Sequence, residues 1–165
     1  METTTWILVI GAVAVALAFD VINGFHDAAN SIATIVSTRV ITPRIAVYWA
    51  AFFNFVAMFI FVPHVANTIE KIVSIKPGDP AFVYVVLCGL LGAIAWDLLT
   101  WWWGLPTSSS HALIGGLGGA GLVHGGTNVI GWRNVGKTVM FIPLAPLIGL
   151  VCGFIIMTGV FWLFR

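Results

Sequence analysis

Between Asp20 and Thr34, a chain otherwise built of lipid-soluble residues carries six polar side chains at helical spacing. Wound as an α-helix, Asp20, Asn23, Asp27, Asn30, Ser31 and Thr34 fall within one arc of roughly 100°. The surrounding sequence leaves little choice of solvent. Hydrophobic residues make up 60% of the chain and charged residues 8%, against about 25% charged in soluble domains, and the mean hydropathy is +1.06. A single Asp at the centre of a bilayer costs on the order of 3 kcal/mol. The stripe must therefore face a cavity, a partner helix or a solute. These constraints define an all-α polytopic membrane protein with a binding site for something charged.

The apolar runs divide the chain into four or five transmembrane spans within a single domain, residues 1–165. Trp6 to Phe25 is the first, with a break expected at Asn23-Gly24 and a short polar-striped continuation over 26–38. Ile45 to Val65 is the second, with Asn54 near its middle and Pro63-His64 at its end. Ala81 to Trp103 is the third, carrying Asp97 late and closing on an aromatic belt of tryptophans. Gly104-Leu105-Pro106 then interrupts the chain, and the glycine-rich stretch to residue 125 is short enough to be a re-entrant hairpin. Val139 to Phe164 is the last span, with Pro143 and Pro146 expected to bend it. No basic n-region precedes Trp6, so the first run reads as a retained span and not a cleaved signal.

Arg39 and Arg44 in one loop, and Arg133 and Lys137 in another, set the expected orientation. The positive-inside rule puts loops 39–44 and 126–137 in the cytoplasm. Loop 66–80, where the charges of Glu70, Lys71, Lys76 and Asp79 cancel, then lies outside with the N-terminus. On that reading 104–125 enters and leaves from the cytoplasmic face.

Two constellations could carry chemistry. In the stripe, Asp27 and Asn30 offer oxygen ligands for a hard monovalent cation, and Asp27 could instead take a proton. A broken helix would add unpaired backbone groups. The bland reading is an interhelical polar clamp, which needs one or two polar groups and not six. The second constellation is Pro106-Thr107-Ser108-Ser109-Ser110-His111. Consecutive hydroxyls cannot share one helix face, so they suit a helix start, where free N–H groups and hydroxyls make an oxyanion cradle without a full positive charge. Ordinary helix capping is its bland reading.

Other features carry less. Ser110-His111 are sequence neighbours without a G-x-S-x-G elbow, which argues against a hydrolase, and the chain is not expected to be an enzyme. Gly115 and Gly119 match a small-xxx-small packing pattern, and no Lys follows in phosphate-loop register. His26 and His64 lack a second His at i+3 or i+4, Cys88 and Cys152 have no metal-ligand spacing, and no metal site is expected. A net charge of +1 gives no polybasic surface for nucleic acid.

The stretches G-F-H-D-A-A-N-S-I-A-T-I-V-S-T-R (24–39) and W-D-L-L-T-W-W-W-G-L-P-T-S-S-S-H-A-L-I-G-G (96–116) resemble the two signatures of the N-terminal half of the inorganic phosphate transporter (PiT) family. The resemblance covers nearly the whole chain. It implies a multi-pass protein of the plasma or inner membrane, a secondary transporter coupling phosphate uptake to a sodium or proton gradient. By the same resemblance Asp27, Ser108, Ser109 and Ser110 would touch phosphate, and Asn23, Asn30 and Thr34 would help bind the coupling cation, Na+ or H+, with no other cofactor. His26 stands where sodium-coupled members tend to have Asn, which points to proton coupling and to metal-phosphate as a candidate substrate. The family fold is an inverted repeat, so this chain is expected to be one half of the transporter. Its partner would be a second half or an antiparallel copy in a homo-oligomer, and alone it is not expected to transport. The alternative is a non-transporting membrane subunit or phosphate-sensing scaffold derived from such a transporter.

Overall fold

A computed structural model describes residues 3–60, 71–75 and 79–164, and the architecture among them is helical. Five α-helices follow in order: α1 (Thr3–Ser37), α2 (Pro43–Ile60), α3 (Pro80–Trp102), α4 (Ser109–Gly125) and α5 (Trp132–Leu163). A short 3-10 turn, Gly126–Val129, follows α4. α1, α2, α3 and α5 are each long and apolar enough to cross a membrane. The expected end of the second span at Val65, with Pro63 and His64, lies outside the described residues, as do Glu70, Lys76 and Pro77 of the next loop.

The expected break at Asn23-Gly24 is absent. α1 is one helix of 35 residues, about 52 Å at 1.5 Å per residue. A lone glycine costs a helix about 1 kcal/mol relative to Ala, and no proline reinforces it here. The side chains of Asn23 and Asp27 engage another helix and so do not compete for their own backbone. The polar stripe is thus displayed on a continuous rod. α1 ends in a Schellman turn with Arg39 at φ +58°, Val40 N donating to Ile35 O and Arg39 N to Val36 O.

α3 begins and ends on clear local signals. Asp79 caps it, its carboxylate accepting from Ala81 N at 2.9 Å, and Pro80 occupies the first turn. At its end Gly104 sits at φ +66°, Leu105 N donates to Thr100 O, and Gly104 N donates to Trp101 O. Only glycine takes that left-handed position without strain. α3 runs parallel to α1. Phe19 packs on Leu90 and Ala93, and further along both helices the Phe25 and Trp101 rings meet edge to face at 5.1 Å.

α4 folds back along α3 through glycines, though not those singled out by spacing. Gly115 and Gly119 face open space, with nothing within 4 Å of a would-be Cβ. The close approach falls on Gly116, where a Cβ would collide with the Gly89 carbonyl, and on Gly89, where it would meet Leu117 Cα at 2.9 Å.

The predicted sidedness also needs correction. Val73 and Ile130 form an antiparallel bridge, Ser74 N donates to Val129 O at 2.7 Å, and Gly121 packs under Val73. The residues after α4 therefore lie at the same end as the segment before α3, not at the opposite face. α4 has 17 residues, about 25 Å of helix, enough to carry the chain back along most of α3. Two cations per loop are too weak a signal to override that packing.

Gly131–Arg165 is a separate unit. Its helix α5 begins at Trp132, seven residues before the expected start at Val139, so Arg133 and Lys137 belong to its first turns. It continues through Pro143 and Pro146 and buries none of its residues.

Candidate functional site

The stripe and the serine segment meet at Ser109. This residue is 1% exposed, and its hydroxyl lies 3.0 Å from Asp27 Oδ2 and within hydrogen-bond reach of the Asn23 carboxamide. A hydroxyl has one proton and therefore donates to one of them. The set closes when it donates to Asp27 while Asn23 turns its N–H₂ toward Ser109 Oγ. Ser108 is the N-cap residue, with extended backbone and no side-chain cap bond. Thr107 Oγ1 is buried without a partner. The start of α4 thus presents free hydroxyls and N–H groups beside an acid held in place by Ser109.

One face of α1 opens onto a cavity of about 680 Å³ shared with α2. Asp20, Asn23, Asp27 and Ser31 line it from α1, and Asn54 from α2. Gly24 lines it too, and no side chain blocks the space above it. Among the described lining residues two are carboxylates and none is Lys or Arg. An anion can share this space only if a cation or proton offsets the acids.

Behind Asp27 lies a second polar cluster. His26 is 8% exposed, Thr100 1% and Asp97 0%. Thr100 Oγ1 donates to a backbone carbonyl, Trp96 O at 2.9 Å or Asp97 O at 3.1 Å. His26 Nε2 approaches Thr100 Oγ1 at 3.5 Å. Nδ1 faces Asp27 Oδ1 at 3.6 Å and has no hydrogen-bond partner, and neither carboxylate oxygen of Asp97 has one.

Of the residues singled out in the sequence, Asn23, Asp27 and Ser109 come together directly. Ser108 and Ser110 flank Ser109 at the start of α4. Asn30 and Thr34 are exposed and do not line the cavity; the Thr34 carbonyl accepts from Ser37 Oγ and Thr38 Oγ1. Neither the entry of Asn54 into the cavity nor the grouping of His26, Asp97 and Thr100 is legible in the sequence. An Asn or Asp inside an apolar span is the available signal, and its direction cannot be read before the helices are placed.

These features define a multi-pass helical membrane protein with a polar site enclosed between its helices. The chain belongs to the phosphate transporter family, whose model matches residues 23–165. It is 51% identical over 164 residues to a probable low-affinity inorganic phosphate transporter of Rhizobium meliloti (strain 1021), covering 98% of this chain and 48% of that protein. A probable low-affinity inorganic phosphate transporter of Streptomyces halstedii is 48% identical over 166 residues, covering 100% of this chain and 75% of the relative. The low-affinity inorganic phosphate transporter PitB of Escherichia coli (strain K12) is 36% identical over 174 residues, 98% of this chain and 35% of PitB. The chain thus spans about half the length of the Rhizobium relative. No solved structure matches.

Proposed function

We propose that this chain supplies the phosphate site of a secondary transporter that couples phosphate movement to a cation. The observation that carries the reading is the junction of Ser109 with Asp27 and Asn23, two residues that also line the α1–α2 cavity. Phosphate, alone or with a metal ion, binds at the start of α4, where hydroxyls and N–H groups accept an oxyanion without holding it as tightly as paired arginines would. Asp20 and Asp27 supply the opposing requirement. With phosphate beside them, a sodium ion or a proton must enter too, and that shared neutralisation is the coupling.

The site is completed by a second helical half, from the same polypeptide or another. Asn30 and Thr34 are exposed on a helix long and apolar enough to cross lipid, and such groups need a polar partner or an aqueous cavity. Alternation of access follows from rocking of the two halves about this site.

The test is Asp27→Asn in the full-length protein. Phosphate uptake is expected to be lost while membrane insertion persists. Uptake with unaltered kinetics in that variant overturns the assignment.

A further inference from the structure

We propose that the seam between α1 and α2, at the end where the two helices join, binds an anionic phospholipid. Its headgroup lies on Arg39 and Arg44, and one acyl chain lies in the groove between the helices. A groove of about 290 Å³ runs along this seam, walled by Ile32 and Ile35 of α1, Ile41 of the turn, and Ala46, Trp49 and Phe53 of α2. The Trp49 and Phe53 rings stand 5.0 Å apart, and Ile35, Trp49 and Phe53 are exposed. Ser31 and Asn54 line the groove where it adjoins the larger cavity. Elsewhere its wall is aliphatic or aromatic, a surface for hydrocarbon.

The charge of the occupant is set at the other end. Arg39 precedes Ile41 by two residues, and Arg44 precedes Ala46 by two, so both cations belong to the end of the groove that the turn closes. Arg39 is held at φ +58° where α1 stops. Both side chains are exposed, and neither is paired with a carboxylate among the described residues. No Asp or Glu occurs between residues 28 and 69 to supply one locally. The membrane-crossing part of α1 ends at Ser37 and that of α2 begins at Pro43, which sets the turn at the depth of headgroups and the groove at the depth of acyl chains. Cations at that depth attract anionic headgroups. Free phosphate would satisfy the arginines and leave the apolar groove unfilled; a phospholipid satisfies both. A second helical half is drawn to a different face. Asn30 and Thr34, the exposed polar groups of α1 that need such a partner, lie roughly 100° or more round the helix from Ile32 and Ile35.

The experiment uses the full-length protein in phosphatidylcholine vesicles that carry a small fraction of phosphatidylglycerol with a photoactivatable acyl chain. Adducts mapped by peptide mass spectrometry are expected at Ile35, Ile41, Trp49 and Phe53. The same probe on phosphatidylcholine is expected to label these positions several-fold less. Arg39→Gln and Arg44→Gln should each reduce the preference for phosphatidylglycerol about fivefold, and Arg39→Lys should keep most of it. Equal labelling by the two lipids overturns the proposal, because the groove then holds only bulk lipid. Absence of adducts at these residues overturns it too, since a second half or a second copy then covers the seam. Displacement of the phosphatidylglycerol probe by inorganic phosphate would make the arginines a free-anion site and likewise refute it. If a Gln variant fails to insert, the comparison of the two lipids on the unaltered protein decides.

Discussion

Ser109 Oγ stands 3.0 Å from Asp27 Oδ2, a contact that ties the first turn of α4 to the middle of α1. Both ends of the bond are needed. Asp27 is a carboxylate on a membrane-crossing helix and requires a donor, and Ser109 is buried and requires an acceptor. The first turn of α4 is thereby fixed to the helix that presents acids to the cavity, and a displacement of one moves the other.

Ser109→Ala is expected to uncouple them. Losing the one donor to a half-buried carboxylate costs about 1–3 kcal/mol, and phosphate uptake should fall about tenfold or more, since 1.4 kcal/mol is already a factor of ten. Combined with Asp27→Asn in a double-mutant cycle, the stability losses should be less than additive. Additive thermal-shift changes in detergent would show that the two side chains do not act as a unit.

The α3–α4 contact gives a second expectation. Gly116→Ala forces a Cβ into the Gly89 carbonyl, and Gly89→Ala forces one against Leu117 backbone, so either must separate the helices. Gly115→Ala and Gly119→Ala meet nothing and, by removing glycine from a helix interior, should be neutral or stabilising by up to about 1 kcal/mol. Thermal unfolding of the four variants checks the ordering. Equal loss at all four positions would contradict the close approach.

How much of this could be read from the residues alone depends on whether the signal was local. The apolar spans are local, and so are the signals at Asp79 and Gly104 that bound α3, whose ends fall within a residue of expectation. The stripe from Asp20 to Ser31 was legible because its periodicity is a property of one helix. Its companions were not. Nothing in the spacing of Gly116 distinguishes it from Gly115, and nothing around Asp97 says that it is wholly buried. The break at Asn23-Gly24 failed for a related reason: helix-breaking tendencies are about 1 kcal/mol, and side chains satisfied by another helix no longer express them.

The Val73–Ile130 bridge makes sidedness measurable. Ser74 and Asn128 are exposed beside it. Single cysteines at these two positions, in a background lacking Cys88 and Cys152, should react with a membrane-impermeant thiol reagent from the same side. A cysteine at Thr42, in the turn between α1 and α2, should react from the other. Labelling of positions 74 and 128 from opposite faces would restore the orientation suggested by the basic residues and refute the bridge.

Asn54 offers the sharpest test of the cavity, because it enters from α2 and has no part in the serine junction. It lines the space opposite Asp20 and Asp27, and its carboxamide is positioned to hold a solute or the cation that accompanies it. Asn54→Leu preserves bulk and raises hydrophobicity, so α2 should insert at least as well as before. The expectation is normal abundance in the membrane with phosphate uptake reduced about tenfold, the scale of one lost polar contact of about 1–1.5 kcal/mol. Asn54→Gln should recover part of the loss. Uptake unchanged by Asn54→Leu would mean that the solute path does not run through the α1–α2 cavity, and that Asn54 serves only to hold the helices together.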